Sequence, residues 1–246
     1  MSEVLERGNI YFLYRPRVEE DEVGEMDDVQ RTYVALDPHG GGRMRRIVLG
    51  RKRLPDVRGG GKTWGFIDQL TRSGREMGEG MGEETYGTKT RGTRHLPPAR
   101  PAAEGVYAIV RHDDHTHLAY ALELPEEPGD VQRDLRIDAE GSFILSVKNP
   151  EKPSPSHAGL RPEQKADYPR GLQERFGGRR FIPADPPELL DHEGAELLLV
   201  GAREDVEEEL GIRLRPQDEE HAEILRRLRL SRKEHPREPL LRGEWR

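Results

Sequence analysis

The chain holds 246 residues, 33% of them hydrophobic and 35% charged, with a formal net charge of −7 and no cysteine. That length suits one large domain or two small ones, and the modest apolar share assigns part of the chain to surface arms or tails. Disulfides, thiolate catalysis and cysteine-bound zinc are excluded, and the apolar runs are too short for a membrane-spanning helix. The first residues, Met1 to Pro16, place acids before a short apolar stretch, unlike a signal peptide, so cytoplasm and no membrane partner are the expectation.

In chain order, strand signals come first. Asn9 to Tyr14 is aromatic and β-rich and is closed by Pro16. Thr32 to Leu36 ends at Asp37-Pro38 and a glycine run, with Met44 to Leu49 as its expected partner across that turn. Thr63 to Ile67 is a further strand, and the glycine-rich stretch from Ser73 to Gly92 reads as a mobile loop. Val106 to His112 and His115 to Leu122 flank Asp113-Asp114 and predict a hairpin. Ser142 to Val147 is another strand, Asn149 to Pro162 a Pro/Ser-rich linker, and Pro169 and Gly171 break the helical pattern between Pro162 and Phe176. Ala195 to Val200, bounded by glycines, reads as a buried strand.

The C-terminal part is predicted helical. Asp205 to Leu210 stops at Gly211, and Asp218 to Lys233 carries an apolar stripe with acids early and bases late, complementing the helix dipole. The fold class expected is α+β, a largely antiparallel sheet or partly open barrel with C-terminal helices. The boundaries drawn are a β-rich domain over 1–148, a linker and sheet-completing segment over 149–202, and a charged helical region over 203–246. Asp28-Val29-Gln30-Arg31 recurs as Asp130-Val131-Gln132-Arg133, an echo too short to establish a duplication.

Gly8-Asn9-Ile10-Tyr11-Phe12-Leu13-Tyr14 resembles a strand of EVE and PUA-like nucleic-acid-binding barrels. The resemblance covers these residues alone, and a shared fold carries no function by itself.

Charge is segregated along the chain, and local potential steers partners more than the sum does. Glu19 to Asp28 is acidic; Arg43 to Lys62 holds eight cations against Asp56; Lys89 to Arg100 adds Lys89, Arg91, Arg94 and Arg100. Alternation in that first basic zone predicts a cationic outer face. Arg43, Arg45, Arg51, Lys52, Arg53, Lys62, Lys89, Arg91 and Arg94 are therefore the candidate ligand-binding residues, for nucleic acid or another polyanion, because guanidiniums pair bidentately with phosphate. The competing reading docks the same cations on the protein's own acids.

Two further groups carry chemistry. With Asp113-Asp114 as the turn, His112 faces His115, and His115 and His117 share a face, so three imidazoles meet on one side of the sheet. Zn²⁺ or a similar divalent ion is the cofactor such a set takes, and a metal-bound water would make a hydrolase. The sequence otherwise asks for no cofactor. Arg58-Gly59-Gly60-Gly61-Lys62-Thr63 ends like a phosphate-binding loop, but Asp56 stands where the first glycine belongs and no helix pattern follows, so a hairpin turn is expected. Three functions remain: an anion-binding protein, a metal-dependent enzyme, and an interaction module using its acidic C-terminal helices. Oligomeric state is not legible.

Overall fold

The computed structural model describes residues 2–89, 92–154, 159–203, 205–214, 223–231 and 233–246. Its frame is antiparallel. β1 (Ser2–Pro16), β2 (Val29–Pro38), β3 (Met44–Leu49) and β4 (Lys62–Thr71) form a meander. After α1 (Gly74–Glu79) comes a separate two-stranded ribbon, β5 (Glu84–Thr88) and β6 (Gly92–Leu96). β7 (Arg100–His112) returns to the free edge of β1, then β8 (His115–Leu124), α2 (Asp130–Leu135) and β9 (Glu140–Lys148) follow. α3 (Arg170–Arg175) and the short β10 (Phe181–Pro183) precede β11 (Glu196–Gly201). That last strand slots between β4 and β9, and because β9 also pairs with β8, the sheet closes on itself as an eight-stranded barrel. Full closure leaves no open gap of the kind expected from the sequence, and it removes exposed strand edges from the barrel wall.

β8 and β10 share one side of β9, in succession along it. Thr116, wholly buried, joins them: its hydroxyl donates to the Leu145 carbonyl at 2.8 Å and accepts from the Ala184 amide at 2.6 Å.

Alternation along the strands fills the interior. Ile10, Phe12, Val34, Leu36, Ile47, Leu49, Ile67, Tyr107, Ile109, Leu118, Tyr120, Phe143, Leu145, Leu197 and Leu199 form one buried cluster. Phe12 meets Tyr120 edge-on at 5.3 Å, and Tyr120 stacks on Phe143 at 5.9 Å. An eight-stranded barrel is just wide enough for its own side chains, and here aromatic rings occupy that width.

Helices cover the outside. α4 (Val206–Leu210) packs Val206 and Leu210 on Ala108, Val110 and Ala119 of the β7–β8 outer face. α5 (Glu223–Arg227) and α6 (Glu238–Arg242) join α1 over β1–β3, burying Tyr11, Leu13, Tyr33, Met44, Val48, Met77, Met81, Ile224, Leu225 and Leu228 together. Among its described residues the C-terminal region thus holds three short helices packed on the barrel. Of the helix expected over 218–233, only Glu223–Arg227 is helical among the described residues; 215–222 and 232 lie outside them. Residues 73–92 are not the loop their glycines suggested: within them lie α1, β5 and the start of β6. The helical pattern over 162–176 is interrupted as expected at Pro169, which stands at the N-cap of α3, where a missing amide hydrogen costs nothing; Gly171 lies inside α3 and does not break it. Among the described residues, no helix is long and apolar enough to cross a membrane.

Candidate anion-binding cleft and the histidine hairpin

The cations expected to form one outer surface are scattered by the fold. Arg45, expected to face solvent, lies inside the barrel mouth at 2% exposure, since its strand partner is the inward-facing Leu36. Its Nη1 donates to Glu6 Oε1 at 2.5 Å and its Nε to Asp191 Oδ1 at 2.8 Å, while the Tyr107 hydroxyl donates to the same Glu6 oxygen at 2.7 Å. Burial alone would depress the basicity of Arg45; the bonds to Glu6 and Asp191 outweigh it and raise the pKa. The next residue, Arg46, points outward and is occupied by Asp68 at 2.8 and 2.9 Å and by the Tyr33 ring.

Lys52 is half-buried; its ammonium donates to the Val29 carbonyl, and desolvation followed by the nearby Arg17 lowers its pKa. Arg51, Arg53 and Lys62 are exposed at one rim of the barrel, whereas Arg43 is exposed at the other end of β3. Six strand residues separate them, roughly 20 Å. Lys89 and Arg94 lie on the β5–β6 ribbon, with Arg94 3.9 Å from Glu19; Arg91 falls outside the described residues. Gly59–Gly61 does form a turn that enters a strand. Its amides at Arg58 and Gly59 are taken at 2.8 and 3.1 Å by Asp56, which fills with a carboxylate the place a phosphate would need.

The strongest convergence of cations involves residues the sequence did not single out. A cleft of about 510 Å3 is lined by Arg72, Ser73, Gly74, Arg75, Arg226, Arg227 and Arg229. It exists because two distant segments touch backbone to backbone. Gly74 and Gly78, four apart, share one face of α1, and a Cβ on either would overlap the carbonyl of Arg227 or Leu228. Met77 and Met81 anchor α1 to the barrel, and the apolar stripe Ile224, Leu225 and Leu228 anchors the opposing segment. Ser73 caps α1 by accepting the Glu76 amide. On the other wall, Arg229 takes a left-handed conformation (φ 51°), and the Leu230 amide bonds back to the Leu225 carbonyl at 2.9 Å, ending α5 with its basic residues at the cleft.

Among the described residues, Asp37 binds Arg227 at 2.5 and 3.0 Å and Glu79 binds the exposed Arg75 at 2.8 Å, and Arg226 and Arg227 make further interactions of their own. Arg72 and Arg229 make no ion pair among the described residues. Met44 pairs with Thr71, so Arg43, which precedes the one, and Arg72, which follows the other, lie at the same rim. The only signals of this cleft in the sequence were Arg72 and Arg75 around Ser73-Gly74, and the basic end of the C-terminal helix.

The histidine hairpin has the register expected: His112 pairs with His115 and Val110 with His117. All three imidazoles stand on the outer face, in unlike surroundings. His117 is 5% exposed beneath α4; its Nδ1 has no hydrogen-bond partner and lies 3.9 Å from Glu209 Oε1, while the Ser142 hydroxyl donates to the other Glu209 oxygen. Burial lowers the His117 pKa, Glu209 opposes that, and His112 and His115 add to it. His112 lies 6.0 Å away, ring to ring, and bonds Ser2 through Nδ1 at 2.9 Å; the exposed His115 sits 3.3 Å from Asp114. Among the described residues, no group of three or more His, Cys, Asp or Glu is disposed to hold a metal ion.

Neither family models, curated proteins nor solved structures yield a match to this chain.

Proposed function

We propose that the protein binds nucleic acid, holding phosphates in the arginine-lined cleft between α1 and the end of α5. The observation that carries this reading is the gathering of five arginines around one cleft, with Arg43 on the same rim, in a chain whose net charge is −7. Arg72 and Arg229 make no ion pair among the described residues, so an added anion would offset the repulsion between them and their neighbours, and planar guanidiniums match phosphate oxygens better than ammonium groups do. The filled barrel interior supports the same reading, because it leaves the outer surface as the place for a ligand.

Fluorescence anisotropy with labelled oligonucleotides over a salt series tests it. Binding is expected at low salt, with affinity falling linearly against log salt concentration, about 0.9 in slope for each phosphate neutralised on a duplex. Reversing Arg72→Glu and Arg229→Glu together is expected to lower the slope by about 2 or more and abolish binding near physiological salt. Arg170→Glu, on exposed α3, is the control that leaves binding intact. Absence of binding by the unaltered protein at low salt would refute the proposal.

A further inference from the structure

The β5–β6 ribbon is separate from the barrel sheet, and its two strands pair with each other alone. A two-stranded hairpin is marginal in water unless a hydrophobic face is buried, and among the described residues of this ribbon there is no such face. Glu84 to Gly87, Lys89, Gly92 and Thr93 are exposed, and Thr88, Arg94, His95 and Leu96 are partly so. Tyr86, at 43%, is one of two large hydrophobic residues exposed among those described. Its cross-strand partner is Arg94, with Thr88 opposite Gly92 on the same face; Thr85 opposite His95 and Gly87 opposite Thr93 make the other. The side chains are small, hydroxylated, aromatic or cationic, and Glu84 is the one acid on the described strands.

Charge is polarised along the ribbon. At its base His95 sits between Asp21 and Glu83 (3.3 and 3.1 Å), and its amide and carbonyl bond Glu19. Lys89 is exposed beyond the other end of β5. A polyanion is therefore repelled at the base and attracted toward the tip. The anchor is well made: Arg15, 2% exposed, donates to the carbonyls of Gly80, Gly82 and Pro97 on both sides of the ribbon. α1 connects this anchor to the arginine cleft over six residues, roughly 9 Å.

We infer that the ribbon is a groove-reading arm for B-form DNA, inserting into the major groove of a duplex whose backbone lies in the arginine cleft. This rests on the nucleic-acid reading above and narrows it to one class. The B-form major groove admits a two-stranded ribbon, whereas that of an A-form RNA duplex is too narrow for side chains to read. Arg94, which would exchange its 3.9 Å contact with Glu19 for a base edge, and the ribbon threonines supply donors, and Tyr86 supplies an apolar surface against thymine methyls.

The test compares one sequence as duplex DNA, duplex RNA and single-stranded DNA, using the full chain, with Lys89→Ala/Arg94→Ala and Tyr86→Ala beside Arg72→Glu/Arg229→Glu. The unaltered protein is expected to prefer duplex DNA to duplex RNA by about tenfold or more. The ribbon variants are expected to lose ten- to hundredfold on duplex DNA, roughly, and with it the preference, while keeping their affinity for duplex RNA. Circular dichroism and melting curves matching those of the unaltered protein exclude loss of fold, because these residues support no core. Equal binding of DNA and RNA duplexes, or full DNA affinity in the ribbon variants, would overturn the arm while the cleft reading stands. Failure of the unaltered protein to bind any of the three would remove both.

Discussion

Replacing Arg45 with methionine separates a structural cation from a ligand-binding one. Arg45 is 2% exposed, and among the described residues it alone neutralises Glu6, whose side chain is 14% exposed; Asp191, at 27%, retains more water. Methionine fills much of the same volume, so the cavity contribution is small and the stranded carboxylates dominate. Removing one partner of a buried pair costs about 3–5 kcal/mol. Solvent reaches Asp191, and Tyr107 still donates to Glu6, so the lower end, about 3 kcal/mol, is expected. For a chain of this size that is roughly 6–12 °C in melting temperature. Urea denaturation followed by circular dichroism gives the number directly, provided the slope against urea is unchanged. Glu6→Gln combined with Arg45→Met should recover part of the loss, because one stranded charge is gone. If Arg45→Met stayed within about 1 kcal/mol of the unaltered protein while oligonucleotide binding fell, the pairing inside the barrel mouth would not be what Arg45 is for.

Other outcomes follow from the same structure. Gly78→Ala places a Cβ against the Leu228 carbonyl, so it should cost about 1–3 kcal/mol and weaken anion binding by displacing the arginines of the segment beyond it; thermal melts and anisotropy unchanged from the unaltered protein would contradict the close approach. Burial is the first cause of lowered pKa at His117, His192 and His235. Their folded-state values lie below the unfolded value of about 6.5, so the unfolded chain takes up protons first. Stability present above roughly pH 6.5 should therefore fall as pH drops toward the folded-state values, and a flat profile between about pH 7.5 and 5.5 in chemical denaturation would contradict the burial. Lys148, whose ammonium holds Glu196 at 2.9 Å and the Lys152 carbonyl at 2.9 Å, ties residues 149–152 to the barrel. Lys148→Met should speed limited proteolysis within that stretch, and an unchanged cleavage map would show that other contacts hold it.

The strands were legible because alternation and β-branched content are local properties. Met44–Leu49 and the register of the His112–His115 hairpin could be read from a few residues and their turn. Closure of the barrel could not. It depends on β11 pairing with β4 across more than a hundred residues, for which the sequence shows only a short apolar run between glycines. The glycines of residues 73–92 misled for a definable reason. Loop propensity was read where Gly74 and Gly78 serve the contact between α1 and the segment after Ile224, a tertiary demand with no local pattern.

The basic surface illustrates the same limit at the level of function. A run of cations along a strand is divided by the pleat: Arg45 turns into the barrel and finds Glu6, and Arg46 turns out and finds Asp68. The linear charge density of residues 43–62 is thereby spent on pairs and on two rims roughly a strand length apart. The cleft draws instead on Arg72 and Arg75, which follow β4, and on three arginines some 150 residues later, so neither run is exceptional by itself. What joins them is apolar: Met77 and Met81 on one side, Leu225 and Leu228 on the other, closing over the outer face of β1–β3. The positive potential of this face is therefore set by the packing of uncharged residues, and mutations there should alter oligonucleotide affinity without touching any charge.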